Sequence, residues 1–273
     1  RVVRLMLMYI AQATLAKIRI KDPKKRLEFY TRNVSYWTKR CLEVMNVEVE
    51  VVGFDTKLMS HENFLMVSNH MSYIDVLALS SIMPAVFVTS VDMQETPLLG
   101  DLAEMGGSIF VERRHRSQIG QDISTMSKAL RDGHNVMIYP EGTSTDGQKL
   151  LPFKKSLLMA AVEAQKNILP VCLKYTEIDG EPFSAANAHK VAWYGEMTFA
   201  PHLLQMMKLS KVKARIEFLQ PIKVHANSTR HELAAQAFSA IHTAYTGQAP
   251  EADLESEPEQ KSKVGATQVH LGS

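Results

Sequence analysis

The sequence predicts an α/β fold, a mostly parallel central sheet flanked by helices, with an N-terminal interfacial helical segment ahead of it. Three observations carry that prediction. Short apolar runs at 64–67, 85–89, 108–111 and 135–139 have the length and composition of buried strands. Between them lie longer stretches with helix-start and helix-stop signals, the alternation expected of a parallel sheet with crossover helices. The chain has 273 residues with 45% hydrophobic content, enough to bury one sizeable α/β core.

Taken in order, residues 2–20 are mostly apolar, but Arg4, Lys17 and Arg19 leave only 5–16 as an uncharged run. That run is too short to cross a bilayer, which takes about 20 apolar residues. Lys21, Lys24, Lys25 and Arg26 follow, then Leu27, Phe29, Tyr30 and Trp37. The segment therefore reads as one or two helices lying on a membrane surface, held by basic and aromatic anchors. A helical hairpin packed on its own domain is the alternative.

Residues 1–40 hold eleven Lys or Arg against Asp22 and Glu28, whereas Glu251, Asp253, Glu255, Glu257 and Glu259 crowd the far end of a chain whose net charge is only +2. This asymmetry points to an anionic membrane surface as a partner. No nucleic-acid partner is expected, because the motifs and aromatic interleaving of such modules are missing.

Within 44–52, Val47, Val49 and Val51 alternate as in a half-buried strand that Gly53 ends. After the 64–67 strand, Ser72 is placed to cap a helix carrying Ile74, Val76, Leu77, Leu79 and Ile82. The strand 85–89 precedes a helix headed by Pro97, containing Leu98, Leu99 and Leu102 and closed by Gly106 and Gly107. The strand 108–111, a helix over 119–131 closed by Gly133, and the strand 135–139 broken by Pro140 continue the alternation. Residues 191–194 and 212–220 read as further strands, and 230–245 as an amphipathic helix. The resulting organisation is 1–42 membrane-interfacial helices, 43–247 the α/β domain, and 248–273 an acidic tail whose composition predicts disorder. Cys41 and Cys172 are too few for a disulfide framework, have no metal-ligand companion, and read as packed thiols.

The chemistry concentrates in Ser68-Asn69-His70-Met71-Ser72-Tyr73-Ile74-Asp75. His70 falls on the turn after a strand and Asp75 in the first turn of the next helix, so the carboxylate can reach back to the imidazole. Such a histidine can take a proton from a hydroxyl, with the carboxylate fixing its tautomer and stabilising the imidazolium. No Ser or Cys nucleophile is required if the substrate supplies the hydroxyl. Ser72-x-x-Asp75 equally fits a capping box in which Asp75 only serves the helix N-terminus.

Four blocks occur in order between residues 64 and 173: Asn69-His70-Met71-Ser72-Tyr73-Ile74-Asp75, Gly107-Ser108-Ile109-Phe110-Val111-Glu112-Arg113, Tyr139-Pro140-Glu141-Gly142-Thr143 and Ile168-Leu169-Pro170-Val171. This set resembles the 1-acylglycerol-3-phosphate acyltransferase family. The resemblance implies that His70 and Asp75 form a catalytic dyad, and that Arg113, Glu141, Gly142 and Thr143 bind the acyl acceptor. It implies a membrane-associated O-acyltransferase that moves a fatty acyl group from acyl carrier protein or acyl-CoA to lysophosphatidic acid, giving phosphatidic acid. It implies no cofactor beyond that co-substrate, no metal, and a monotopic or peripheral place on the cytoplasmic face of the inner membrane.

Ser144 stands where lysophosphatidic acid acylators frequently have arginine. The run 141–147, with Leu151-Pro152-Phe153-Lys154, is similar to members that acylate other lyso-lipids such as lyso-ornithine lipid. Arg114, Arg116, Lys149, Lys154 and Lys155 are candidates for a cationic rim, against the plainer reading of a solvated loop. Glu141 is expected to meet an acceptor hydroxyl or hold an arginine, and the Gly142 N–H to donate to an oxyanion. Two readings belong to other classes. A metal-dependent phosphoesterase would use His70, Asp75 and Glu141 as ligands but lacks a second clustered ligand set. A non-catalytic lipid-binding protein leaves the His70/Asp75 pairing without a purpose.

Overall fold

The structure, a computed structural model, describes residues 1–112 and 116–250. Arg113 and Arg114, like the tail over 251–273, lie outside the described residues. The chain opens with two helices, α1 (Val2–Arg19) and α2 (Pro23–Val44), the second started by Asp22, whose carboxylate accepts from the Lys24 and Lys25 N–H groups. There follow β1 (Val47–Val52), α3 (Thr56–His61), β2 (Leu65–Ser68), α4 (Tyr73–Ile82), β3 (Val86–Ser90), α5 (Val91–Gln94), α6 (Leu99–Met105), β4 (Ile109–Val111), α7 (Ile119–Arg131) and β5 (Val136–Ile138). The second half contributes α8 (Met159–Ala164), β6 (Ile168–Ile178), β7 (Glu181–Pro182), α9 (Phe199–Met206), β8 (Val212–Phe218) and α10 (Arg230–Thr246).

The strands form one sheet in the order β1-β8-β6-β2-β5-β3-β4, with β7 pairing β6 off that path. Every neighbouring pair on the path is parallel except β6 with β8. Mostly parallel sheets must be covered on both faces. Here successive side chains divide between two cores: Met66 and Met137 face α2 and α4, whereas Leu65, Val67, Val136 and Ile138 face α7, α8 and α10. Because β2, β3, β4 and β5 run the same way, the chain leaves their carboxyl ends on one edge of the sheet, where ligands collect in open α/β folds.

The N-terminal helices pack on the domain. The Tyr9 hydroxyl donates to the Leu102 carbonyl at 2.9 Å, Trp37 Nε1 donates to Gln12 Oε1 at 2.9 Å, and Leu42 joins the core beneath α4. Gly107, with φ +78°, permits the contact, since a β-carbon there would lie 2.5 Å from Leu27 Cδ1. The opposite face of α1 leaves Val3, Leu7, Leu15 and Ile18 exposed. Among the described residues, no helix is long and apolar enough to cross a membrane.

One predicted strand is absent. Residues 191–194 are bent chain after a short 3-10 turn at Ala188–Lys190, and the Trp193 N–H donates to the Met71 carbonyl at 2.8 Å instead of to a neighbouring strand. Val191 and Ala192 are fully buried, so the apolar run reflects packing rather than sheet pairing.

Candidate active site

The loop from β2 into α4 sets out the candidate catalytic groups. Asn69, buried after the last β2 residue, extends the strand pairing with its side chain: Nδ2 donates to the Leu173 carbonyl at 2.8 Å and Oδ1 accepts from the Leu173 N–H at 2.9 Å. That fixes the turn at His70. Ser72 then begins α4 as a capping box with Asp75, each side chain serving the other's backbone.

The two readings of Asp75 are both realised. Its Oδ2 accepts from the Met71 N–H at 2.6 Å and the Ser72 N–H at 2.9 Å, as a helix cap should, and also meets His70 Nδ1 at 2.9 Å. Its Oδ1 accepts from the Tyr175 hydroxyl at 2.6 Å. The side chain has no solvent exposure, and each of these contacts brings a donor to it. The hydrogen bond from Nδ1 requires the tautomer in which Nε2 carries the lone pair, and the imidazole retains 21% exposure through which a substrate can reach it. Underneath, the Tyr139 ring stacks on the imidazole with centroids 4.0 Å apart and planes inclined by 14°.

The loop after β5 closes the other side. Glu141, 4% exposed, accepts the His70 N–H on Oε1 and the Leu151 N–H on Oε2, both at 2.8 Å. It thus ties the His70 turn to the 150s loop, where the sequence suggested contact with an arginine or an acceptor hydroxyl. Burial pushes its pKa up to about 7 against the pull of the two N–H donors. The Gly142 N–H donates to the Tyr139 carbonyl at 3.0 Å. Gly142 itself has φ +74°, and a β-carbon on it would lie 2.4 Å from Lys154 Nζ. Of the lysines assigned to a cationic rim, Lys154 therefore lies against this loop. Thr143 is exposed beside it.

Further contacts join these loops. The Thr145 N–H donates to the His70 carbonyl at 3.0 Å, the Ser144 hydroxyl donates to the Trp193 carbonyl, and the Tyr245 hydroxyl from α10 donates to the Gly147 carbonyl at 2.6 Å. The structure thus brings His70, Asp75, Glu141, Gly142 and Thr143 together. Arg113 follows the end of β4 and lies outside the described residues. Asn69, Tyr139, Tyr175 and Trp193 complete the site without having been assigned a role from sequence. Asn69 and Tyr139 stand inside quoted motifs, whereas nothing local marks Tyr175 or Trp193. Among the described residues, no group of three or more His, Cys, Asp or Glu side chains is placed to hold a metal ion.

Residues 48–174 match the acyltransferase family. The chain is 30% identical over 205 residues to the lyso-ornithine lipid O-acyltransferase of Rhizobium meliloti (strain 1021), covering 72% of this chain and 69% of that one. It is 28% identical over 160 residues to the 1-acyl-sn-glycerol-3-phosphate acyltransferase of Neisseria meningitidis serogroup B (strain ATCC BAA-335 / MC58), covering 58% of this chain and 60% of that one. Its fold is similar to the crystal structure of the 1-acyl-sn-glycerophosphate (LPA) acyltransferase PlsC from Thermotoga maritima, with a TM-score of 0.64, 17% identity, and 95% of each chain covered. A match of this extent, on a mostly parallel sheet of the same architecture, places the sequence plainly: the chain belongs to the lyso-lipid acyltransferase family.

Proposed function

We propose that this protein transfers a fatty acyl group from an acyl thioester, carried by acyl carrier protein or coenzyme A, to the free hydroxyl of a lyso-lipid, with lyso-ornithine lipid as the acceptor. The observation that carries the reading is the 2.9 Å contact between His70 Nδ1 and a buried Asp75 at the carboxyl edge of the sheet. His70 Nε2 removes the proton from the lyso-lipid hydroxyl as that oxygen attacks the thioester carbonyl carbon. The tetrahedral intermediate collapses with cleavage of the C–S bond, the new ester is released, and the imidazolium returns its proton to the departing thiolate. Asp75 keeps Nδ1 protonated and stabilises the cation. No acyl-enzyme forms.

Two features support a lyso-ornithine acceptor. The Rhizobium relative bears that activity in its name, and the Ser144 hydroxyl is turned to the Trp193 carbonyl, so this position offers no charge to a phosphate. Lysophosphatidic acid is the second reading, favoured by the Neisseria relative's name and by Arg113 in the matching block. Lys154 beside Gly142 and the exposed Thr143 supply headgroup contacts in either reading, and Glu141 holds the loop that presents them. The exposed apolar stripe of α1, flanked by Arg4, Lys17 and Arg19, rests on an anionic membrane surface on the cytoplasmic side, where the lipid acceptor resides.

The test is to incubate the protein with labelled acyl thioester and a panel of lyso-lipids. Labelled ornithine lipid is the expected product, labelled phosphatidic acid would favour the second reading, and lipid binding without transfer would discard an enzyme altogether. His70→Ala should lower turnover by ~10² to 10⁴, the range usual for general base catalysis, with the fold intact. Near-normal turnover in that variant would remove His70 from the mechanism.

A further inference from the structure

The Asp75 carboxylate is loaded unevenly. Oδ2 receives His70 Nδ1 and the N–H groups of Met71 and Ser72 at 2.6 to 2.9 Å, all from its own loop. Oδ1 receives the Tyr175 hydroxyl at 2.6 Å, from a strand 100 residues away. The carboxylate has no exposure, so with Tyr175 absent Oδ1 would sit in the interior without that donor, which costs more than the bond itself contributes. The carboxylate would then rotate about Cβ–Cγ toward other donors and draw Oδ2 out of line with the imidazole.

We propose that Tyr175 is a positioning residue for the acyl transfer, fixing the plane of the Asp75 carboxylate so that Oδ2 stays on His70 Nδ1. The inference rests on the reading of His70 as general base. Two independent features make Tyr175 suited to the part. It is held in place from several sides, since Tyr175 pairs with Ala214 of β8, Asn69 clamps the strand at Leu173 two residues earlier, and the phenol ring packs on Phe183 with centroids 5.9 Å apart. It also stays a neutral donor, because burial and the nearby Asp75 charge hold the phenol far above its ordinary pKa. The second phenol of the site behaves differently: the Tyr139 hydroxyl is buried with no hydrogen-bond partner among the described residues, and its contribution is the ring stacked on the imidazole. The two tyrosines therefore divide the support of the dyad, one through the hydroxyl and the other through the ring face.

The test compares Tyr175→Phe with the unmutated full chain. Phe keeps the ring that packs on Phe183 and removes one oxygen, and near-ultraviolet circular dichroism verifies the fold. In protein labelled with ¹⁵N-histidine, the low-field His70 Nδ1–H resonance should move to higher field or vanish through solvent exchange. Kinetically, kcat should fall about tenfold, the size expected for losing one hydrogen bond to a charged group, with KM for thioester and lyso-lipid within about twofold. Tyr9→Phe, which removes a phenol hydrogen bond in α1, should change neither. In a His70→Ala background the kcat effect of Tyr175→Phe should disappear, because both act through one imidazole. An unchanged resonance and kcat in Tyr175→Phe, or an equal fall in the His70→Ala background, would overturn the assignment. Should His70→Ala prove fully active, the base would be misassigned, whereas the resonance would still report whether Tyr175 governs the Asp75–His70 contact.

Discussion

Glu141 shows how one side chain can link stability to the geometry of the site. Both its oxygens accept backbone N–H groups, an arrangement that suits the ionised form, yet burial raises its pKa from 4.5 to about 7. A carboxyl whose folded pKa lies above its unfolded value binds more protons when folded. Its contribution is therefore fully present below about pH 4.5 and is lost as pH rises to about 7, at up to roughly 1.4 kcal/mol per pH unit. Thermal melts should show stability falling across that window, and Glu141→Gln should flatten this part of the curve; an unchanged slope would count against the assignment. At the next position, Gly142→Ala places a β-carbon at φ +74° against Lys154 Nζ. The ammonium can swing away, but the left-handed backbone remains, so a loss of about 1 to 2 kcal/mol in chemical denaturation is expected. At this scale the sequence was informative wherever partners are close along the chain. His70, Ser72 and Asp75 lie within one turn of each other, so their contacts follow from the start of a helix, whereas Tyr175 reaches Asp75 only through the sheet.

Among the elements, α1 divides its surface between a docked and an outward face. Tyr9, Ala13 and Ala16 are buried against the rest of the chain, whereas Val3 and Ile18 are 63% and 62% exposed at either end of the outward stripe. The hairpin thus docks on its domain, the alternative the sequence offered, and leaves exposed the apolar stripe proposed above to meet the membrane. Replacing Leu7 and Leu15 by serine removes area that water already reaches, so the fold should hold. Co-sedimentation with anionic vesicles should weaken by about tenfold or more, and unaltered sedimentation would assign membrane contact elsewhere. Long periodic elements were legible, α7 and α10 almost to the residue. The short strands β2, β3, β4 and β5 were legible too, but several short helices were not: α9 carries Pro201 within its first turn, where the missing N–H does no harm. The 191–194 run misled because burial against a loop and burial in a sheet leave the same apolar signature.

Over the whole molecule, the sheet changes character from one end to the other. Its β2, β5 and β3 strands are covered on both faces, but β8 alternates Val212, Ala214, Ile216 and Phe218 toward the core with Lys213, Arg215 and Glu217 away from it. That outer face is laced by ion pairs, Lys211 with Glu48 at 2.9 Å, Lys213 with Glu177 at 2.7 Å and Arg215 with Glu50 at 2.8 Å. Exposed pairs of this kind add little stability, but Glu48 and Glu50 put charge on β1, the edge strand of the sheet, which discourages pairing with another chain. The candidate catalytic groups gather at the opposite side of β6, and both carboxylates there are engaged by N–H and O–H donors. Turnover should therefore survive exhaustive chelation; its abolition, with recovery on adding back a divalent ion, would revive the phosphoesterase reading. The α/β class and the edge on which the site lies were legible from strand order alone, because parallel strands deliver their following loops to one side. What strand order could not convey was that β6 extends past β2 and lends it a hydrogen-bond partner.

The double duty of Asp75 has a consequence for anyone who would move this chemistry elsewhere. Helix start and the proposed proton-transfer pair share one carboxylate and one contiguous octapeptide, so a graft of strand end, turn and first helical turn should bring the pair close together. The recipient scaffold would have to offer an adjoining strand with backbone groups for Asn69 and a phenol at the height of the helix cap, together with an acceptor for the His70 N–H.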